Sequence, residues 1–200
     1  MKIAVYGASG MVGSEITAEA LRRGHEVTAV TRSGADVEGA ASRKAELSDL
    51  ETFRDLAADH DAVVVSVSPD RTGKTHEPLI EAHRAIIANG AQSRVFVVGG
   101  AGALEVDGVQ LKDLPDFPAE YKAESDTFAQ VLESYRGADD LDWTMLAPAP
   151  VIAPGQRTGE YKLGKDSPVG DSISTQDFAV AVLDELESPK HRNQRFAVAN

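Results

Sequence analysis

The 200-residue chain has no cysteine. Disulfides, thiolate nucleophiles and cysteine-based metal sites are therefore excluded. No apolar run approaches the ~20 residues that a membrane-spanning helix needs. The amino terminus has one lysine and a short apolar run ending in glycine, without the longer apolar region and cleavage site of a signal peptide. A cytoplasmic protein is expected. Positive charge is in the minority: 20 Lys and Arg against 32 Asp and Glu give a formal net charge of −12. So acidic a surface argues against nonspecific binding to nucleic acid or anionic membrane. A small anionic ligand would need a local positive patch. The five histidines show no metal-ligand spacing, so no metal is expected. Repeats, linkers and low-complexity tracts are missing too. What is present is ordinary globular composition, 42% hydrophobic and 26% charged, in a chain long enough for one well-buried core.

The first half alternates two periodicities. Short apolar runs at Lys2–Tyr6, Glu26–Thr31, Ala62–Val67 and Arg94–Val98 read as buried parallel strands, with a shorter one at Arg43–Leu47. Between them, helical spacing runs over Met11–Arg23 and Thr75–Asn89, each stopped by glycine. Ser48 and Glu51 read as a capping box opening a further helix to about Ala58. Beyond Gly102 the pattern loosens, and Ala103–Phe117 reads as loop. Pro118–Arg136 is helical, with Tyr121, Ser125, Phe128, Leu132 and Tyr135 on one face. Asp142–Leu146 is a strand, Gly155–Asp171 reads as loops with a short hairpin, Thr175–Glu187 as a helix and Arg195–Ala199 as a last strand. Strand–helix alternation predicts an α/β fold with a doubly wound parallel sheet in one domain. Ligands bind at the carboxyl ends of such strands, near the point where strand order reverses. Gly7–Gly13, Thr31–Ser33, Ser66–Pro69, Gly99–Gly102 and Pro148–Val151 all fall at such ends.

Gly7-Ala8-Ser9-Gly10-Met11-Val12-Gly13 lies between the first strand and the first helix. Its glycines allow a tight turn, and the amides of Ser9 to Val12 would face an anion at the helix start. The spacing differs from G-x-G-x-x-G, and no Gly-Lys-Ser/Thr follows it, which excludes a P-loop. NAD-binding chains place an acidic residue after the second strand to hold the ribose. Here Thr31-Arg32-Ser33 stands instead, with no carboxylate until Asp36. Arg32 and the hydroxyls suit a 2′-phosphate, so NADP is favoured over NAD. Glu46 and Leu47 would flank the adenine.

These residues carry a resemblance. The glycine turn, Val98-Gly99-Gly100-Ala101-Gly102, Tyr121-Lys122 and Leu141-Asp142-Trp143-Thr144 with Pro148 resemble the atypical short-chain dehydrogenase/reductase family. Within it they resemble the NADH-flavin reductase-like or biliverdin-reductase-B-like group. Pro154–Gly159 and Ile173–Ala181 look similar too. The resemblance implies a Rossmann-type fold, with a small C-terminal substrate-side extension and substrate-side elements mainly in 103–125 and 148–175. It implies an NAD(P) cofactor and reduction of a small acceptor, with FMN or FAD as substrate rather than bound cofactor. Ser66, Val67 and Ser68 would pass under the ribose and nicotinamide. Pro148, Ala149 and Val151 would hold the carboxamide by their backbone, and Gly99 and Gly100 would border it.

Most short-chain dehydrogenases use a strand-five Ser and a Tyr-x-x-x-Lys helix to move a proton. Here that strand ends in Gly99-Gly100-Ala101, and Tyr121 is followed at the fourth position by Ser125. Lys122 is adjacent and points elsewhere on a helix. Reduction of a conjugated ring needs no such relay, because the proton can come from solvent. Tyr121 is then the candidate side chain at the acceptor, although its stripe with Phe128 and Leu132 equally suits core packing. Trp143 and His83 read as core. His76 lies near a ligand-facing loop with no evident partner. Two other readings stay open: a dinucleotide sensor without turnover, and an epimerase, which the missing lysine disfavours. A monomer or homodimer is expected.

Overall fold

The computed structural model describes residues 1–200. In chain order the elements are β1 (Lys2–Tyr6), α1 (Met11–Arg22), β2 (Glu26–Thr31), β3 (Ala41–Lys44), α2 (Leu50–Asp59), β4 (Ala62–Val65), α3 (Glu77–Asn89) and β5 (Arg94–Val98). There follow the hairpin β6 (Glu105–Val106) and β7 (Val109–Gln110), α4 (Ala119–Arg136), β8 (Trp143–Ala147) and β9 (Val151–Ala153). The chain ends with β10 (Lys162–Gly164), β11 (Ser172–Ser174), α5 (Thr175–Glu187) and β12 (Gln194–Ala199).

Eight strands form one sheet in the order β10-β12-β8-β5-β4-β1-β2-β3. All pairs are parallel except β10 with β12. This is the Rossmann-type doubly wound sheet that the alternation predicts. From β1 the chain winds outward first through β2 and β3, then through β4, β5, β8 and β12. The reversal therefore lies between β1 and β4.

Alternate residues of each strand serve opposite faces. Ile3 and Val5 of β1 join Ile16 and Ala20 of α1 and Phe178, Val182 and Leu186 of α5. Ala4 and Tyr6 join Phe53 of α2, Ile80 and Ile86 of α3 and Leu132 and Tyr135 of α4. With both faces covered, the strands read as unbroken apolar runs. Trp143 and His83 are buried in the second layer, as the sequence suggests.

Four local expectations change. The third strand starts at Ala41 and ends at Lys44, two or three residues ahead of its predicted bounds. The cap of α2 is Asp49, whose carboxylate accepts from the Thr52 amide at 3.1 Å, so Ser48 does not open a capping box. The stretch read as loop contains the hairpin of β6 and β7, turned by Asp107 (φ 53°) and Gly108 (φ 79°). Asp-Gly is a strong hairpin signal and marks this turn in the sequence. Likewise 155–171 forms no hairpin of its own, because β10 pairs with the distant β12.

His83 is buried against Tyr135, with its Nδ1 3.0 Å from the phenol oxygen and its Nε2 without a partner. Burial holds the imidazole neutral and pushes its pKa down to about 4. The folded state thus binds one proton fewer than the unfolded state between that value and the ordinary ~6.5. Its contribution to stability is complete above pH ~6.5 and is lost as pH falls toward 4. Urea unfolding of His83→Leu should show a shallower decline in stability over this window than the wild type, by about one proton. Parallel curves would show that His83 does not titrate on unfolding.

Candidate active site

The carboxyl edge of the sheet starts from two close approaches. Gly7 follows β1 with φ +77°, and a Cβ built there would lie 2.1 Å from the Ser66 carbonyl oxygen after β4. A Cβ on Gly13 would lie 2.1 Å from the Gly7 carbonyl oxygen. Both glycines let β1, α1 and β4 meet at the reversal point. Gly10 differs. Its backbone is extended (φ −78°, ψ 167°), and a Cβ there would meet only the Gly7 oxygen at 3.2 Å. That contact is tight, but it does not exclude a side chain as the contacts at Gly7 and Gly13 do.

Gly10 caps α1 without a side-chain hydrogen bond, and the first turn holds no acidic residue. Its amide donates to Gly7 and that of Ser14 donates to Gly10, while the amides of Met11, Val12 and Gly13 have no partner in the chain. Ser9, Gly10 and Met11 are exposed. Unpaired amides at a helix start, with no side chain in front of them, fit an anion such as a pyrophosphate.

The ends of β2 and β3 form a cavity of about 420 Å³ lined by Arg32, Lys44, Ala45, Glu46, Ser48 and Asp49. The structure thus brings together Arg32 and Glu46 and adds Lys44, which sequence reasoning missed. The register Thr31↔Lys44 carries that signal, but it depends on the pairing of β2 with β3. Neither Arg32 nor Lys44 enters an ion pair. These two uncommitted cations share the lining with the carboxylates of Glu46 and Asp49. Of the neighbours, Thr31 is buried and its hydroxyl accepts from the Ala35 amide at 3.1 Å. Leu47 turns into the core, so its side chain does not flank the cavity. Ser33 is exposed, and its hydroxyl also faces the Ala35 amide at 3.2 Å. A larger groove of about 600 Å³ between α3, α4 and the hairpin holds none of the strand-end residues.

The other strand ends sort in the same way. Ser66 and Val67 are half-buried and Ser68 is exposed. Gly99 and Gly100 back onto Met145 and Phe128, at 2.9 and 3.0 Å from their would-be Cβ atoms. Those glycines are required by β8 and α4 behind them, not only by space in front. Pro148 and Ala149 are buried, Ala149 in the core, which leaves their backbone as the available surface. Val151 is exposed at the start of β9, its amide bonded to Asp171.

Tyr121 is 57% exposed and makes no side-chain hydrogen bond, so it is not core. Ser125, Phe128, Leu132 and Tyr135 of the same stripe are buried. The position of the missing relay lysine is Ser125, and a Cβ on Gly102 would lie 2.3 Å from its Cβ and Oγ. A serine fills this spot against the backbone. Lys122 is held by Asp113 at 2.9 Å and Asp126 at 3.0 Å, away from the phenol. Those carboxylates raise its pKa and keep it charged. His76 does have partners: Thr127 Oγ1 at 2.7 Å and the Asp70 carbonyl at 2.8 Å. It ties the β4–α3 loop to α4.

The sequence profile of an NAD(P)H-binding family matches residues 7–189. The chain belongs to this family. The uncharacterized protein YwnB of Bacillus subtilis is 41% identical over 215 aligned positions, with 100% of this chain and 99% of YwnB covered. Among solved structures, a "putative NADH-flavin reductase" from Streptococcus pneumoniae superposes with TM-score 0.89 at 33% identity, covering 100% of this chain and 99% of that one. A "putative epimerase" from Bacteroides thetaiotaomicron superposes with TM-score 0.87 at 34% identity, covering 99% and 96%. The family match supports a nicotinamide cofactor. No helix of this NAD(P)H-binding protein is long and apolar enough to cross a membrane. No group of three or more His, Asp or Glu side chains is arranged to hold a metal ion.

Gly10 and Gly7 should separate by experiment. Gly10→Val should change the melting temperature by less than about 4 °C, the shift that ~1 kcal/mol produces at this size. It should weaken dinucleotide binding by roughly 100-fold or more, about 2.7 kcal/mol. Gly7→Ala should instead lower stability by ~1–3 kcal/mol or more. Calorimetry and thermal melts read both; unchanged affinity in folded Gly10→Val would remove the pyrophosphate reading.

Proposed function

We propose that this protein is an NADPH-dependent reductase that passes a hydride to a flat conjugated acceptor such as FMN or FAD, bound as substrate. The observation that carries this reading is the filled lysine position. Ser125 packs on Gly102, and Lys122 is committed to two carboxylates. Neither residue takes the place of the relay lysine that carbinol chemistry uses. Ring reduction needs only that donor and acceptor be held face to face, with a proton from water. The pneumococcal relative's description supports the same class.

In this reading bound NADPH supplies the hydride. The amides of Met11, Val12 and Gly13 hold its pyrophosphate, and Gly10 leaves room for close approach. Arg32 and Lys44 hold the 2′-phosphate, and Glu46 borders the adenosine. Ser66, Val67 and Ser68 support the ribose and nicotinamide side. Gly99, Gly100 and the backbone of Pro148, Ala149 and Val151 border the reacting end. Tyr121 packs on or orients the acceptor, while the open cleft admits the water that donates the proton. A cytoplasmic monomer or homodimer belongs to the same proposal. A sensor that binds the dinucleotide without turnover is the second reading, favoured by the same missing relay. Epimerisation needs that relay, and the filled lysine position weighs against it despite the Bacteroides relative's description.

Arg32→Ala and Lys44→Ala should each weaken NADPH binding about 10- to 100-fold, as loss of a hydrogen bond to a charged group predicts. NADH binding should stay nearly unchanged. Equal wild-type dissociation constants for the two cofactors would remove the 2′-phosphate site.

Tyr121→Phe should reduce NADPH oxidation with FMN only modestly, at matched cofactor saturation. Loss of a general acid typically costs about 10²- to 10⁴-fold, so a drop above roughly a hundredfold with intact folding would restore a tyrosine relay. Tight NADPH binding with no oxidation by flavins, quinones or bilins would establish the sensor.

A further inference from the structure

The chain holds its sulfur in three methionines and no cysteine. Their environments differ. Met145 is 2% exposed, packed behind Gly99. Met1 is the chain end. Met11 is 48% exposed and is the first residue of α1, inside the glycine turn. Side chains of a helix tilt toward its N-terminus, so the Met11 thioether leans toward the carboxyl edge of the sheet. The amides of Met11, Val12 and Gly13 at the same helix start have no acceptors in the chain.

We propose that Met11 is an oxidation site through which peroxide lowers the protein's affinity for its dinucleotide. The inference rests on the reading of the glycine turn as the pyrophosphate site. In the reaction the thioether sulfur attacks one oxygen of hydrogen peroxide and the O–O bond breaks. The sulfur becomes a sulfoxide, oxidised by two electrons, and the other oxygen leaves as water. Accessibility governs which methionine reacts, and the step is reversible by methionine sulfoxide reductases. The product is a bulkier, polar side chain with an acceptor oxygen. Within reach of unpaired amides, that oxygen competes for the donors an anionic ligand would use. Bound dinucleotide in turn covers the thioether. The modification and the cofactor therefore oppose each other, as linked binding requires.

The test treats the folded protein with hydrogen peroxide, with and without saturating NADPH, and follows each methionine by peptide mass. NADPH affinity is measured by calorimetry before and after. Met11 sulfoxide should form at least ten times faster than Met145 sulfoxide, and NADPH should slow it at least severalfold. The oxidised protein should bind NADPH at least tenfold more weakly, and methionine sulfoxide reductase should restore the affinity. Met11→Leu, compared with itself before and after treatment, should lose none of its affinity. Oxidation of Met11 no faster than Met145, unchanged affinity after its oxidation, or equal losses in Met11→Leu and wild type would each overturn the proposal. Failure of untreated protein to bind either nicotinamide dinucleotide would overturn the site reading and this proposal together.

Discussion

At the reversal point of the sheet, three backbones meet where no side chain fits. The Ser66 carbonyl occupies the place of a Gly7 Cβ, and the Gly7 carbonyl occupies that of a Gly13 Cβ. This contact fixes how β4 lies beside β1 and how α1 leaves it. Because α1 starts so close to the strand ends, its first amides open onto the carboxyl edge. Everything assigned to dinucleotide binding is arranged around that opening. The third glycine, Gly10, is not needed by the contact, and its missing side chain keeps the opening clear.

The loop between β9 and β10 is fastened by buried carboxylates, while α5 and β12 join the core. Glu19, on α1, is buried and accepts from Arg157 at 2.8 Å through both oxygens and from Arg23 at 2.8 Å. These partners hold its carboxyl down at about 2. Asp177, on α5, accepts from the Thr158 and Gly159 amides at 2.8 Å and from Asn200 at 2.9 Å. The motifs Pro154–Gly159 and Ile173–Ala181 therefore act as a fastening. They strap the chain across α1 and α5 so that β10 can join the far edge of the sheet. Each carboxylate has several partners, as a buried charge requires.

Much of the scaffold was legible. The bounds of β1, β2, β5 and α5 match their sequence expectations, because a buried apolar run ended by glycine and a serine-capped amphipathic run are local signals. The register of β3, the cap of α2 and the partner of β10 were less legible. Each depends on a competitor or a pairing outside the window. Tyr121 shows the limit of periodicity: it marks one face of α4 but not where that face passes beyond the sheet, and the first turn stands exposed while Ser125 onward is buried.

The sequence by itself determined the α/β class, the doubly wound parallel sheet, the glycine turn and the set of loops at one edge. Those follow from period, caps and turn residues, which act over a few neighbouring positions. Tertiary structure alone decided which glycines serve the fold and which leaves room for a ligand. It also placed Lys44 beside Arg32, turned Leu47 inward and packed Ser125 against Gly102. The physical reason is common to all four. Each is a contact of a few ångströms between segments far apart in the chain, set by packing and excluded volume that no local pattern encodes.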